Sequence, residues 1–247
     1  MKTLLISMLA CGIALAQTPP APKKAAPDAK KAAPAAAPKA APAAAKSAPA
    51  AGPDLLKPNT LRAKAPDVYK VKFTTTKGDV IIQVNRVWAP MGADRFYNLV
   101  RGGFYKDAAF FRTLPNFMTQ FGIPARPDVA AAWENAKILD DRVAQSNKRG
   151  MVTFATAGPN TRTTQVFINF GDNVFLDAQG FAPFGQVIEG MEVVDKFFSG
   201  YGDSPNQGRI TAQGKAYLDK SFPNLDHIIT AVVLPADAPA PAADAKK

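Results

Sequence analysis

The sequence has very few of the side chains on which most catalytic sites depend. Its 247 residues include one cysteine, Cys11, and one histidine, His227. These two residues cannot form a zinc site of the usual Cys/His kind, and a Ser–His–Asp triad would depend on His227 alone. The glycine-rich motifs that cradle phosphates are missing as well. We therefore expect neither a metal nor a cofactor.

Long apolar runs are missing too, since none reaches the roughly 18 residues of a membrane span. The formal net charge of +10 could suggest a nucleic-acid partner. However, residues 17–66 hold nine basic and two acidic side chains, whereas residues 67–234 hold 18 basic and 16 acidic ones. The part of the chain that can fold is nearly neutral, so we expect no nucleic-acid binding.

The N-terminus is typical of an export signal. Lys2 precedes a short apolar stretch, and Ala14-Leu15-Ala16 forms a small-x-small cleavage site before Gln17. We predict a signal peptide over residues 1–16 and an exported protein, periplasmic or secreted. Lipid attachment at Cys11 is the alternative, with a shorter apolar core before the cleavage site.

Residues 17–66 contain mostly alanine, proline and lysine, and they have no aromatic residue. The recurrent prolines interrupt any alanine helix, and without large apolar side chains no core can form. We predict a disordered linker here and a disordered tail over 235–247. The lysines of the linker either contact anionic envelope material or only keep a spacer soluble.

Residues 67–234 have the pattern of a mainly β domain. An alternating stretch over 71–75, a turn at Lys77-Gly78-Asp79 and an apolar run over 80–84 indicate a hairpin. Further strands are predicted over 151–155, 165–170, 182–187 and 227–234. Helices are predicted from Pro90 to Gly102 and over 189–199. A closed antiparallel barrel capped by two helices accounts for this pattern without exposed edges.

Three sequence blocks, in order, resemble the cyclophilins, a family of peptidyl-prolyl cis–trans isomerases. They are FFRTLPNFMTQ over 110–120, FATAGPNT with QVFI over 154–168, and FLD with FGQVIEGM over 175–191. The resemblance implies an eight-stranded barrel and isomerisation of X-Pro bonds. It also implies that the partners are proline-containing, unfolded or folding polypeptides, here exported ones, bound by a monomer.

The isomerisation needs no nucleophile or metal, only an apolar cup for the proline ring and a fixed donor toward the prolyl nitrogen. Arg112 fits the donor role because its guanidinium is always charged and rigidly forked. Gln120 would orient the peptide or the guanidinium. The cup is assigned to Phe117, Met118, Phe167 and Leu176. By resemblance, the backbone of Thr156 pairs with substrate, Ala155, Ala157 and Gln165 line the groove, and Phe175 supplies an aromatic wall.

Two phenylalanines depart from the family pattern. Phe111 replaces the usual histidine before the arginine, and Phe121 stands where glycine normally follows the glutamine. If Phe121 blocked the pocket, the domain would be a proline-peptide-binding chaperone with little turnover. A second alternative is a structural envelope protein in which the basic linker is the functional part.

Overall fold

The structure is a computed structural model that describes residues 54–235. The predicted signal peptide, the linker up to residue 53 and the tail from residue 236 lie outside the described residues. Those predictions stay predictions. None of the helices between residues 54 and 235 is long and apolar enough to cross a membrane.

In the described part of the chain, eight antiparallel strands form one sheet in the order β3-β4-β6-β5-β7-β2-β1-β8. The strands are β1 (Val68–Thr75), β2 (Gly78–Asn85), β3 (Arg112–Leu114), β4 (Met118–Phe121), β5 (Met151–Phe154), β6 (Val166–Asn169), β7 (Pro183–Glu189) and β8 (Ile228–Val233). The prediction of a mainly β fold with eight antiparallel strands is confirmed.

The β1–β2 hairpin shows why the sequence pattern was informative. Buried and more exposed residues alternate along β1, which matches one face on the core and one toward solvent. The register runs from Val68 opposite Asn85 to Thr75 opposite Gly78. Gly78 has φ +133°, a conformation that favours glycine at the turn.

The sheet curls into a half-barrel whose outermost strands are β3 and β8. The chain just before β3 closes the gap by pairing with the first residue of β8 and with the chain just before it. Asp107 N–H donates to Ile228 O at 2.7 Å, Ile228 N–H donates to Ala108 O at 2.9 Å, and Phe110 N–H donates to Asp226 O at 2.9 Å. β3 and β8 themselves do not pair with each other.

Five α-helices accompany the sheet in residues 54–235, where the sequence pattern predicted two. They are α1 (Pro90–Arg101), α2 (Pro127–Trp133), α3 (Met191–Val194), α4 (Gln207–Gln213) and α5 (Lys215–Ser221). The first predicted helix is confirmed as α1, and the second is reduced to the single turn of α3. The other three helices are at most seven residues long, too short for a helical period to stand out in the sequence.

The main core is rich in aromatic rings. The ring of Phe121 lies 5.6 Å from Phe73, 5.5 Å from Tyr105 and 5.2 Å from Phe110. A second, smaller apolar cluster joins Phe111 to Ile210, Tyr217 and other residues and seats α4 and α5 on the domain. The short helices are thus held by tertiary packing and not by intrinsic propensity.

Residues 54–66, which we call the strap, lie in the predicted linker but pack against the domain. Leu61 and Ala65 are buried in the main core. The indole N–H of Trp133 donates to Leu55 O at 2.8 Å, and Ala65 N–H donates to Asp94 Oδ1 at 2.9 Å. The composition of the strap gave no sign of this, because a few buried groups and backbone hydrogen bonds are enough to fix it. The folded part therefore begins earlier than residue 67.

Candidate active site

The β3–β4 hairpin places the key arginine beside a glutamine. Arg112 begins β3 and stands directly opposite Gln120 on β4. Side chains of directly opposed residues lie on the same face of the sheet, and Arg112 Nη1 donates to Gln120 Oε1 at 3.4 Å. Within residues 54–235, Arg112 forms no ion pair. Its remaining donors are available to a ligand.

A second glutamine fixes the first. Gln120 is almost fully buried, and its Nε2 donates to Gln165 Oε1 at 2.7 Å. This bond leaves Gln120 Oε1 facing Arg112, so the two amides set the position of the guanidinium. The result is a charged donor held by neutral groups, whose positive charge is not cancelled.

Beside this polar row lies an apolar cluster distinct from the main core. Its buried members are Met118, Phe167 and Leu176, and partly buried Phe117 and Phe181 pack against them. The rings of Phe167 and Phe181 meet edge to face at 5.8 Å. A cup lined by thioether, aliphatic and aromatic groups suits a small apolar ring.

The loop over residues 155–165 forms the other wall. It is closed at its base by Ala155 N–H, which donates to Gln165 O at 3.0 Å. At its tip, the hydroxyls of Thr156 and Thr161 both donate to Gly158 O. The loop is anchored by Arg162, whose side chain is 3% exposed and lies 3.0 Å from Asp141 Oδ2.

A buried polar network supports the cup from behind. Asn173 Nδ2 donates to Phe117 O at 2.8 Å and to Asn169 Oδ1 at 2.7 Å. Asn147 donates through both its backbone and side-chain nitrogens to Asp177 Oδ1. Burial raises the pKa of Asp177, but hydrogen bonds from Ser146 and Asn147 outweigh this and hold it below the ordinary value. The carboxylate thus fixes the short 3₁₀ helix that carries Leu176.

These groups surround one open cavity of about 380 Å³. Of the eleven predicted site residues, ten line it: Arg112, Phe117, Met118, Gln120, Ala155, Thr156, Ala157, Gln165, Phe167 and Leu176. Phe175 does not line the cavity. It is 54% exposed, and its ring stacks on that of Phe117 at 6.0 Å. The aromatic wall expected of Phe175 therefore supports the cup from outside.

Four lining residues were not predicted: Thr161, Thr163, Phe181 and Gln207. Thr161 and Thr163 belong to the same loop as predicted residues, so inclusion of the whole loop would have found them. Phe181 follows the left-handed Gly180, which turns the chain back toward the cup. Gln207 begins α4, and only tertiary packing brings it to the cavity.

Phe111 and Phe121, the two phenylalanines that depart from the family pattern, lie away from the cavity. Phe111 is buried in the cluster that seats α4 and α5, and Phe121 is buried in the main core. Neither ring lines the pocket. The expectation that Phe121 could block the pocket is not met. Among residues 54–235, those that line the cavity include no carboxylate, histidine or cysteine.

Comparisons with known proteins agree with this geometry. A family model described as cyclophilin type peptidyl-prolyl cis-trans isomerase matches residues 70–215. The peptidyl-prolyl cis-trans isomerase of Acinetobacter baylyi is 37% identical over 132 residues, which cover 51% of this chain and 70% of the relative. Peptidyl-prolyl cis-trans isomerase A of Dickeya dadantii is 35% identical over 132 residues, covering 51% and 69%.

Solved structures share the fold. A crystal structure of a cyclophilin type peptidyl-prolyl cis-trans isomerase from Cryptosporidium parvum aligns with a TM-score of 0.51 at 20% identity. It covers 68% of this chain and 98% of that one. A second structure of that protein, in the presence of the dipeptide Ala-Pro, aligns with a TM-score of 0.50 at 20% identity and covers 67% and 99%. Together, the matched domain, the relatives and the fold show that the chain belongs to the family of cyclophilin-type peptidyl-prolyl cis–trans isomerases.

Proposed function

We propose that this protein isomerises X-Pro bonds of exported polypeptides while they fold, by a non-covalent mechanism centred on Arg112. The observation that carries the proposal is the position of Arg112, held by Gln120 at the edge of the apolar cup. In this mechanism the proline ring occupies the cup formed by Phe117, Met118, Phe167 and Leu176. The guanidinium then faces the prolyl nitrogen.

The chemistry fits such a site because isomerisation requires only the loss of amide resonance. The barrier is about 18–20 kcal/mol, and a twisted amide places a lone pair on the prolyl nitrogen. A donor that meets this lone pair only in the twisted state stabilises the transition state and not the ground state. A rate gain of about 10⁴ needs about 5.5 kcal/mol of such preferential stabilisation.

Other lining groups would hold the peptide still. The backbone of Thr156 would pair with the extended substrate, and Ala155, Ala157 and Gln165 would line the groove beside it. Ala155 and Thr156 are partly buried and Ala157 is exposed, so this wall is open to a chain that enters from solvent. Holding the peptide on both sides of proline directs rotation to one bond.

The test is an isomerisation assay on an Xaa-Pro peptide, with exchange followed by NMR. We expect Arg112→Ala to slow catalysis by about 100- to 1,000-fold, the range found for removal of one positioned donor. Arg112→Lys, which keeps the charge but loses the fork, should fall between wild type and Arg112→Ala. Arg101→Ala, at the exposed end of α1, is the matched control and should leave the rate unchanged.

The same assay separates the enzyme from a binding module of the same fold. Peptide binding without any rate enhancement in the wild-type protein would overturn the proposed mechanism and support the chaperone alternative. Equal rates for wild type and Arg112→Ala would also overturn it.

The location of the activity is proposed from the N-terminal sequence. The signal peptide predicted over 1–16 supports export to a periplasm or the medium. N-terminal sequencing of the protein expressed from the full gene should give Gln17 as the first residue. An uncleaved cytoplasmic product would refute export, whereas release from membranes by Cys11→Ser would support lipid attachment.

A further inference from the structure

A second cavity lies between the strap, α1 and the loop after α2. Its volume is about 450 Å³, and it shares no lining residue with the candidate active site. The strap supplies residues 58, 59 and 61–63 to its wall, and the loop supplies residues 135–139. We call it the basic cavity for the charges described next.

Three cationic side chains line the basic cavity: Arg62, Arg95 and Lys137. Its single lining carboxylate, Asp94, is already neutralised from outside. Arg86, which does not line the cavity, donates to both oxygens of Asp94 at 2.8 and 2.9 Å. Among the described residues no other carboxylate lines the cavity, so its lining carries a net positive charge.

Arg95 is the most constrained of these cations. Its guanidinium lies 5.1 Å from the centre of the Trp133 ring, and Nη1 donates to the carbonyls of Ala136 at 2.6 Å and Thr163 at 3.1 Å. Within residues 54–235 it forms no ion pair. Nη1 thus makes both of its hydrogen bonds to neutral carbonyl oxygens, and the charge itself is uncompensated.

This arrangement is costly without a ligand. Burial, together with the nearby charges of Arg162 and Arg62, lowers the pKa of Arg95 to about 10. The side chain is still charged at neutral pH. A partly buried charge without a counterion lowers the free energy of unfolding, and an anion bound beside it would reverse this effect.

The rest of the wall indicates what kind of anion fits. Leu61, Ile138 and Leu139 are aliphatic lining residues, and Leu139 is 64% exposed. An aliphatic group bound here would cover this surface while its anionic end met the guanidinium. The planar fork of arginine matches the geometry of a carboxylate.

We propose that the basic cavity binds a carboxylate attached to a short aliphatic group. Two sources carry this chemistry: the C-terminal residue of a peptide and a short fatty acid. The two carry the same carboxylate and differ in the amide next to it. The bound carboxylate would bridge α1 to the strap, because Arg95 lies on α1 and Arg62 on the strap.

The test uses the full chain labelled with ¹⁵N and two probes, hexanoate and N-acetyl-leucine. The sequence has two tryptophans, so the two indole N–H signals report separately. Trp133 lies against Arg95, so its indole N–H chemical shift should change saturably as one or both probes are added. Trp88 does not line the cavity and is the internal reference. Preference for N-acetyl-leucine would identify a peptide terminus, and preference for hexanoate a fatty acid.

Variants locate the binding. Arg62→Gln and Lys137→Gln remove exposed charges, so the fold should survive, and each should weaken binding by about two- to fivefold. Arg95→Met should abolish it. Lys106→Gln, an exposed lysine that does not line the cavity, should have no effect.

Three results would overturn the proposal. The first is that the Trp133 indole N–H signal does not shift saturably with either probe. The second is that hexylamine shifts it as much as hexanoate does. The third is that inorganic phosphate binds as tightly as both carboxylate probes. None of them bears on catalysis at Arg112, because the isomerisation assay is independent of this cavity.

Discussion

Arg162 and Arg149 form a matched pair for testing how burial decides the strength of an ion pair. Arg162 and Asp141 are 3% and 5% exposed with 3.0 Å between their charged atoms. Arg149 and Asp195 are 46% and 43% exposed at 2.7 Å. Distance alone would make the exposed pair the stronger ion pair. We expect Arg162→Met to be far more destabilising than Arg149→Met.

The magnitude follows from what each substitution leaves behind. Removing one partner of a buried pair costs about 3–5 kcal/mol, because the other charge stays buried without compensation. Asp141 keeps the N–H groups of Met91 and Gly92, both at 2.9 Å, so we expect the lower end, about 3 kcal/mol. The exposed pair should cost at most about 1 kcal/mol, since water replaces the arginine.

Urea unfolding measures both effects. With a slope of about 1–3 kcal/mol per molar, a loss of 3 kcal/mol lowers the midpoint by at least about 1 M. The double variant Arg162→Met/Asp141→Asn should be more stable than Arg162→Met, because the uncompensated charge is gone. Equal losses for Arg162→Met and Arg149→Met would refute the reasoning. Arg162→Met should also raise KM more than it lowers kcat, since the loop it anchors lines the pocket but does not carry Arg112.

Two further predictions concern Asp94, which accepts a hydrogen bond from the strap, and Gly122, which packs against the loop over residues 155–165. Burial is the largest single effect on the pKa of Asp94 and raises it. The hydrogen bonds from Arg86 and the backbone N–H of Ala65 together outweigh burial and hold this pKa below its ordinary value. Its stabilisation is therefore present above about pH 4 and is lost as the pH falls through the folded-state pKa. The difference in unfolding free energy between wild type and Asp94→Asn should shrink between pH 7 and pH 3, and a constant difference would contradict this assignment. Gly122→Ala should lower the free energy of unfolding in urea by at least about 2 kcal/mol, because φ is +105° and a Cβ would lie 2.4 Å from Thr164 O. A Gly122→Ala protein as stable as wild type would show that the loop can move away.

The sequence predicted the parts of the fold that depend on short-range pattern. Alternation along β1 and the glycine turn at 78 define the first hairpin, and Pro90 and the glycines after Arg101 bound α1. The helix predicted over 189–199 is only one turn long. The apolar spacing that predicts it also fits a non-helical segment with one side packed on the core. The three-residue β3 was too short to be seen by alternation, although it carries Arg112.

The site was predicted from side-chain chemistry in an ordered family pattern. Ten of the eleven named residues line one cavity, since strands that pair in register bring residues such as Arg112 and Gln120 to the same face. Leu176 lines the cavity and Phe175 does not, because residues adjacent along a short 3₁₀ helix point in different directions. Gln207 could not be found from its own neighbourhood, because α4 reaches the cavity only through packing of Ile210 and Tyr217.

The sequence by itself determined the scarcity of histidine and cysteine, the alternation that makes the sheet, and the segment around Arg112 that resembles the cyclophilins. These features are local, so they can be detected in a linear pattern. Tertiary structure alone decided where Phe121 lies, how the strap packs on the domain and why Arg95 has no counterion within residues 54–235. Each of these depends on contacts between side chains that are distant in sequence. Burial then decides whether the Phe121 ring lies in the core or in the pocket, and whether the Arg95 guanidinium remains hydrated.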